Sequence, residues 1–297
     1  MLENTIELLS NSSNPVDKEW AAMYDLIYLR REKLLTPMEQ LDRIEVFKPK
    51  EVEMKILKSI LKAYIYSDLQ ERYSIFLHIS GTDELIDSLT STFIKDSFNI
   101  RLGLIMSYVY LFENDLEKSR EYSYSILNQS FFENVKANAH HNLGTSFLLE
   151  GYEKASEHLN KALDFFMYHN QATKVKQVDL NLSFLQSLWN KDFAYTLSLD
   201  NHTCFLTYIY YLIKKGESIL ALEHINRIAI EDLDQWDKAF YFYYKGLLSQ
   251  DKTDYYYSVE YFSNLNNFFH IQLPLLELKK LGENEVALRI LRSRRRK

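Results

Sequence analysis

Two adjacent histidines, His140 and His141, and a single cysteine, Cys204, are the residues of this chain best suited to chemistry. Neighbours on a helix point about 100° apart, so His140 and His141 cannot grip one ion as an i, i+4 pair can. A structural or surface-lining role fits them better. Cys204 follows Thr203 and opens the apolar run Phe205-Leu206, which reads as core. With no second thiol it makes neither an intramolecular disulfide nor a zinc cluster, a pattern that suits a reducing compartment. No G-x-x-x-x-G-K-[ST], G-x-G-x-x-G or G-x-S-x-G occurs, and 7 scattered glycines cannot build a phosphate loop. Glu150, Glu153 and Glu157 lie among lysines at spacings that give solvated pairs on a helix. The 22 Tyr and 18 Phe are spaced as helix–helix contacts and are not interleaved with Arg, unlike a base-stacking surface. This pattern offers neither a catalytic constellation nor a cofactor site; it points to a protein that binds.

The elements that must position such a surface are helices. Only 7 Gly and 4 Pro punctuate 297 residues, and apolar positions recur at i, i+3 and i+4, as in Met54, Leu57, Ile60, Leu61, Tyr64 and Ile65. The aromatic run Phe240-Tyr241-Phe242-Tyr243-Tyr244 reads as a buried helix because it leads through Gly246 into a polar turn at Gln250-Asp251. A period of about 34 residues is present. Its clearest unit has Gly144 where two helices would cross, then Phe147, a turn at Gly151, and Ala155 on the second helix. Weaker copies place turns near 114, 216 and 251, and a degenerate hairpin around Trp189 to Asp192 fills the double gap between 151 and 216. These features predict an all-α, right-handed superhelical solenoid of tetratricopeptide-like hairpins in a single domain, 1–297. Degenerate hairpins occupy 1–95, with helices over 17–34, 37–44, 50–66, 68–79 and 82–95, Pro15, Pro37 and Pro49 marking starts. Clearer repeats span 96–267 and C-terminal capping and dimerisation helices span 268–293; the final helices are expected over 253–265, 270–281 and 283–293, with Gly282 capping the penultimate one.

Stacked hairpins present a concave groove suited to an extended peptide or a helix. With the small-residue crossings taken as inward, the groove is lined by Ile105, Tyr108 and Phe112, then Asn138, His141 and Thr145, then Leu206 and Tyr210, then Phe240, Tyr243 and Leu247. Only Asn138 offers an amide among them. The net charge of −6 argues against direct DNA binding, although Arg292 and Arg294 to Lys297 form a basic tail over 292–297. The N-terminus lacks the charged-then-apolar order of a signal peptide and no stretch approaches 18 uncharged apolar residues. A cytoplasmic protein is expected, not a membrane one.

The run from Tyr244-Lys245-Gly246-Leu247-Leu248-Ser249-Gln250-Asp251 through Ser258, Glu260, Tyr261 and Phe262 to Ile271-Gln272-Leu273-Pro274-Leu275 and Gly282-Glu283-Asn284 resembles the phage arbitrium receptors, AimR. Glu19-Trp20, Asp96-Ser97-Phe98 and Leu143-Gly144 match as well. The resemblance implies a peptide-sensing regulator of lysis and lysogeny in a bacterial host cell. Such receptors carry an N-terminal helix-turn-helix domain, which this sequence lacks ahead of its repeats. They bind a hexapeptide ending in Arg-Gly-Ala and dimerise partly through their last helices, so a homodimer is expected. They also hold peptide amides with asparagines and a nearby arginine, where this chain aligns Tyr108, Phe112, Asn134 and Thr145. None of these is the family residue. The alternative is a diverged stand-alone interaction scaffold that no longer binds the pheromone and docks a protein segment instead.

Overall fold

The computed structural model describes residues 2–69, 71–129, 132–193, 199 and 201–292, and it divides into two compact units, Met1–Ile105 and Met106–Lys297. Among the described residues there is no strand.

The first unit contains α1 (Leu2–Ser10), α2 (Pro15–Arg31), α3 (Pro37–Val46), α4 (Val52–Asp68), α5 (Arg72–Ile79), α6 (Thr82–Asp87) and the start of α7 (Thr92–Phe112). Met23, Ile44, Met54, Ile56, Leu57, Ile60 and Ile65 form its interior. Its helix starts follow from local chemistry. Asn14 caps α2 ahead of Pro15, and Thr36 and Glu39 make a reciprocal capping box on α3. The α4 N-terminus has no cap of its own; Glu19 of α2 serves instead, its carboxylate accepting from the Lys50 and Glu51 backbone N–H groups at 2.9 and 3.2 Å. Arg30 clamps Asp68 through two nitrogens, tying the end of α2 to the end of α4.

Two readings of this region need correction. Residues 2–10 form a helix that the periodicity does not mark, and the single helix expected over 82–95 is two. Ser88-Leu89-Thr90-Ser91 interrupts it. The Ser88 hydroxyl donates to the Leu85 carbonyl at 2.7 Å, and Ser91 Oγ accepts the Ile94 N–H at the head of α7, so short polar side chains compete for the backbone there.

The second unit continues with α8 (Leu116–Gln129), α9 (Glu133–Ser146), α10 (Tyr152–Tyr168), α11 (Ala172–Leu188), α12 (His202–Lys214), α13 (Ser218–Ile225), a 3-10 turn (Ile230–Asp232), α14 (Gln235–Ser249), α15 (Lys252–Asn264), α16 (Gln272–Lys280) and α17 (Glu285–Arg292). Antiparallel hairpins alternate with turns held by left-handed residues: Asn114, Asn170, Asn190, Gly216, Gln250, Asn266 and Gly282. Those at 114, 216 and 250 fall at the expected turns, and Gly282 ends α16 as expected. The Asn190 turn coincides with the expected degenerate hairpin, although 194–198 and 200, a few positions further on, lie outside the described residues. Two hairpins cross on glycine: a Cβ on Gly144 would sit 2.6 Å from Leu159 Cγ, and one on Gly246 would sit 2.8 Å from the Tyr255 ring.

The terminal helices lie over 252–264, 272–280 and 285–292. The basic tail beyond Arg292 lies outside the described residues.

Candidate functional site

Helix α9 supplies the polar half of the site because its sequence repeats short polar side chains at one-turn spacing: Asn134, Asn138, His141 with Asn142, and Thr145. Asn138 Nδ2 donates to the Asn134 carbonyl at 2.7 Å, and Asn142 Nδ2 reaches Ser107 Oγ on α7 at 3.2 Å. Thr145 Oγ1 donates to the His141 carbonyl at 2.9 Å. Asn181, on α11, completes the cluster: its Nδ2 lies 2.9 Å from His141 Nε2 and 3.1 Å from Thr145 Oγ1.

The direction of these bonds follows from charge. Burial holds the His141 imidazole down to about 4, so the ring is neutral at physiological pH and its Nε2 accepts when the proton sits on Nδ1. The Thr145 hydroxyl spends its hydrogen on the His141 carbonyl and has lone pairs to offer. Both hydrogens of the Asn181 amide are thereby engaged, and its Oδ1 is oriented as an acceptor. Asn138 Nδ2 is engaged as well, with the Asn134 carbonyl. The strip thus keeps the amide nitrogens of Asn138 and Asn181 engaged within the protein.

The aromatic half is assembled from four helices and a connector. Phe112 and Tyr108 touch at 4.7 Å between ring centroids on α7, and Phe112 also meets Trp236 of α14 at 6.4 Å and His270 at 6.2 Å. Phe184 of α11, one turn from Asn181, stacks on Tyr210 of α12 at 5.1 Å and meets Phe240 of α14 at 6.1 Å. The Phe268 N–H donates to the Phe112 carbonyl at 2.7 Å, so the connector between α15 and α16 returns to the end of α7 within this unit. Burial pushes the Tyr210 and Tyr243 phenols well up, and they stay protonated.

The residues expected to line a groove thus fall into two groups. Asn138, His141 and Thr145 share the polar strip, with Asn134 exposed at its head. Phe112, Leu206, Tyr210 and Tyr243 are buried in the aromatic cluster, with Tyr108 half-buried at its margin. Sequence reasoning missed Asn181, since nothing in its helix's spacing marks its partners 36 and 40 residues earlier; it also missed Trp236 and His270. Cys204 is buried at the first turn of α12, its N–H donating to Asn201 Oδ1 at 2.9 Å. Glu157 pairs with Lys161 at i, i+4, as its spacing suggested, whereas Glu150 bridges to Arg120 on α8.

Among the described residues no helix is long and apolar enough to cross a membrane, and no group of three or more His, Cys, Asp and Glu side chains could hold a metal. The polar strip of α9 and α11 adjoins the buried aromatic cluster at Phe184, one turn from Asn181.

Comparison with known proteins agrees with this architecture. The AimR transcriptional regulator of Bacillus phage phi3T is 29% identical over 286 residues, covering 95% of this chain and 74% of that protein. An uncharacterised Bacillus anthracis protein is 28% identical over 264 residues, covering 86% of this chain and 94% of its own length. Among solved structures, selenomethionine-labelled phAimR superposes with a TM-score of 0.79 at 28% identity, over 97% of this chain and 74% of that one. A structure of phAimR with a ligand gives a TM-score of 0.76 at 29% identity, over 93% of this chain and 82% of that one. The fold is of the all-α, tetratricopeptide-like class. The family described as AimR transcriptional regulator-like matches residues 1–280, and this chain belongs to that family.

Proposed function

We propose that this chain is a peptide-sensing regulatory domain of the lysis–lysogeny type, reading its peptide on the strip formed by α9 and α11 above the aromatic cluster. The likeness to ligand-bound phAimR over 93% of the chain carries the reading. The side chains of the strip support it: a peptide offers an N–H at nearly every residue, and Asn138 and Asn181 each carry an amide oxygen that can accept one. Asn181 stands in for amides absent at Tyr108, Phe112 and Thr145. Losing one buried hydrogen bond costs about 1–3 kcal/mol, so removal of the Asn181 acceptor weakens binding by roughly tenfold or more.

Calorimetric titration with hexapeptides ending in Arg-Gly-Ala is the test. Binding in the micromolar range or tighter, weakened in Asn181→Leu and retained in the distant exposed variant Ile219→Ser, is the expected result. No heat and no thermal shift at high micromolar peptide overturns the reading. It would favour the stand-alone scaffold, which the aromatic filling around Phe112, Trp236 and Phe240 also suits.

A further inference from the structure

Helix α9 turns one imidazole toward the polar strip and its neighbour elsewhere. His140, one position before His141 and about 100° around the helix, faces α10, where its Nδ1 lies 2.9 Å from Nδ1 of His158. The ring centroids are 5.1 Å apart. Phe147 stacks on His158, and Tyr124 of α8 approaches it edge-on. Two like nitrogens at this distance share one hydrogen, one ring donating and the other accepting. Both rings are neutral at physiological pH, because burial and then the neighbouring His158 hold His140 down to about 4, and burial lowers His158.

Convergent nitrogens on two neutral imidazoles are also what a transition-metal ion requires. With metal–nitrogen bonds of about 2.0–2.1 Å, two ligands cis at about 90° stand about 2.9 Å apart, and two tetrahedral ligands about 3.4 Å apart. The observed 2.9 Å equals the first separation and differs from the second by about half an ångström, within reach of small side-chain rotations. We propose that His140 and His158 form a two-imidazole site for a divalent transition-metal ion of the zinc, nickel and copper class, bound across the α9–α10 hairpin.

The chemistry of binding balances without redox change. The hydrogen shared between the two Nδ1 atoms moves to the Nε2 of its own ring, leaving both Nδ1 lone pairs facing the ion, and the neutral pair releases no net proton. Glu157 and Glu133 add negative charge nearby, Lys161 opposes them, and Glu157 is drawn to Lys161 at 2.6 Å. With two protein donors, water completes the coordination. Affinity is then moderate, and ions that prefer oxygen ligands, such as magnesium, are excluded. An ion bound here ties together the two helices that cross at Gly144, and stabilises the chain according to its concentration.

The test uses the chain freed of any polyhistidine tag and stripped with chelator. Titration with Zn2+, Ni2+ or Cu2+ should show one ion per chain with a rise in Tm, and Mg2+ should do nothing. His140→Gln and His158→Gln should each weaken binding at least tenfold while circular dichroism remains unchanged. The Cu2+ complex of the unaltered protein should show hyperfine coupling to two imidazole nitrogens, a readout that needs no variant to fold. No binding at high micromolar metal overturns the proposal, as does full affinity in both Gln variants or a copper spectrum without two nitrogens.

Discussion

Gly144 shows how one residue sets the spacing of two helices. A Cβ there would lie 2.6 Å from Leu159 Cγ and 3.0 Å from the Leu159 backbone nitrogen, which cannot swing aside as a side-chain tip could. Gly144→Ala should therefore cost about 1–3 kcal/mol through overpacking. Gly151→Ala, with nothing within 4 Å, should cost about 0.5 kcal/mol or less. Urea denaturation of the two variants checks the contrast. Asp237 makes a second case. It is buried on α14, and burial raises its carboxyl above the ordinary value, although the hydrogen bond from Thr203 Oγ1 at 2.9 Å opposes the shift. The folded chain thus keeps this proton to a higher pH than the unfolded chain. Ionised Asp237 costs stability at neutral pH, and the cost disappears as pH falls through the raised value to the unfolded one. Asp237→Asn retains the acceptor for Thr203 and removes the charge. Calorimetry should find its Tm above that of the parent at pH 7, with the gap closing near pH 4.

Most helices and turns were legible because both are local. The i, i+3, i+4 spacing marks a buried stripe, and Asn114, Gly216 and the polar pair Gln250-Asp251 mark turns, so those turns and the helix carrying Phe240 to Tyr244 could be read directly. The break between α6 and α7 escaped because Ser88 and Ser91 act through their own hydroxyls while the apolar spacing runs on past them. The site was half legible for a related reason. His141 and Thr145 share a helix face and could be paired by counting, whereas Asn181 joins them only through the packing of α11 on its neighbours. The meeting of Phe112, Trp236 and His270 spans more than 150 residues and leaves no periodic trace. That contact makes an element-scale prediction. Phe112→Ala should cost about 3–5 kcal/mol, the range for large aromatic truncations in a core. Hydrogen exchange should then quicken in two stretches at once, the end of α7 and the connector over 265–271, because the Phe268 N–H bonds the Phe112 carbonyl. Quickening confined to α7 would mean that the connector holds its shape independently.

At the scale of the whole molecule, exposed apolar pairs at one-turn spacing lie on α5 (Tyr73, Leu77), on α13 (Ile219, Leu222) and on α17, the last of the described helices. Helix α17 buries only Leu288, while Val286 and Ile290, one turn apart, are 52% and 64% exposed, and Leu276 of α16 is 47% exposed. Apolar side chains repeated at i, i+4 on an exposed helix face are what a two-fold interface uses, since the same stripe can pack on its own copy. The arbitrium-type homodimer expected from the resemblance would draw on this stripe. Sedimentation should then find a dimer, and the double change Val286→Glu with Ile290→Glu should shift it to monomer without altering helix content, because neither side chain belongs to the core. Each carboxylate would be forced against its symmetry mate in a desolvated contact, so dissociation should be steepest at low salt, where like charges repel most. A parent that sediments as monomer at high micromolar concentration, or a double variant that remains dimeric, would move the assembly surface elsewhere on the molecule.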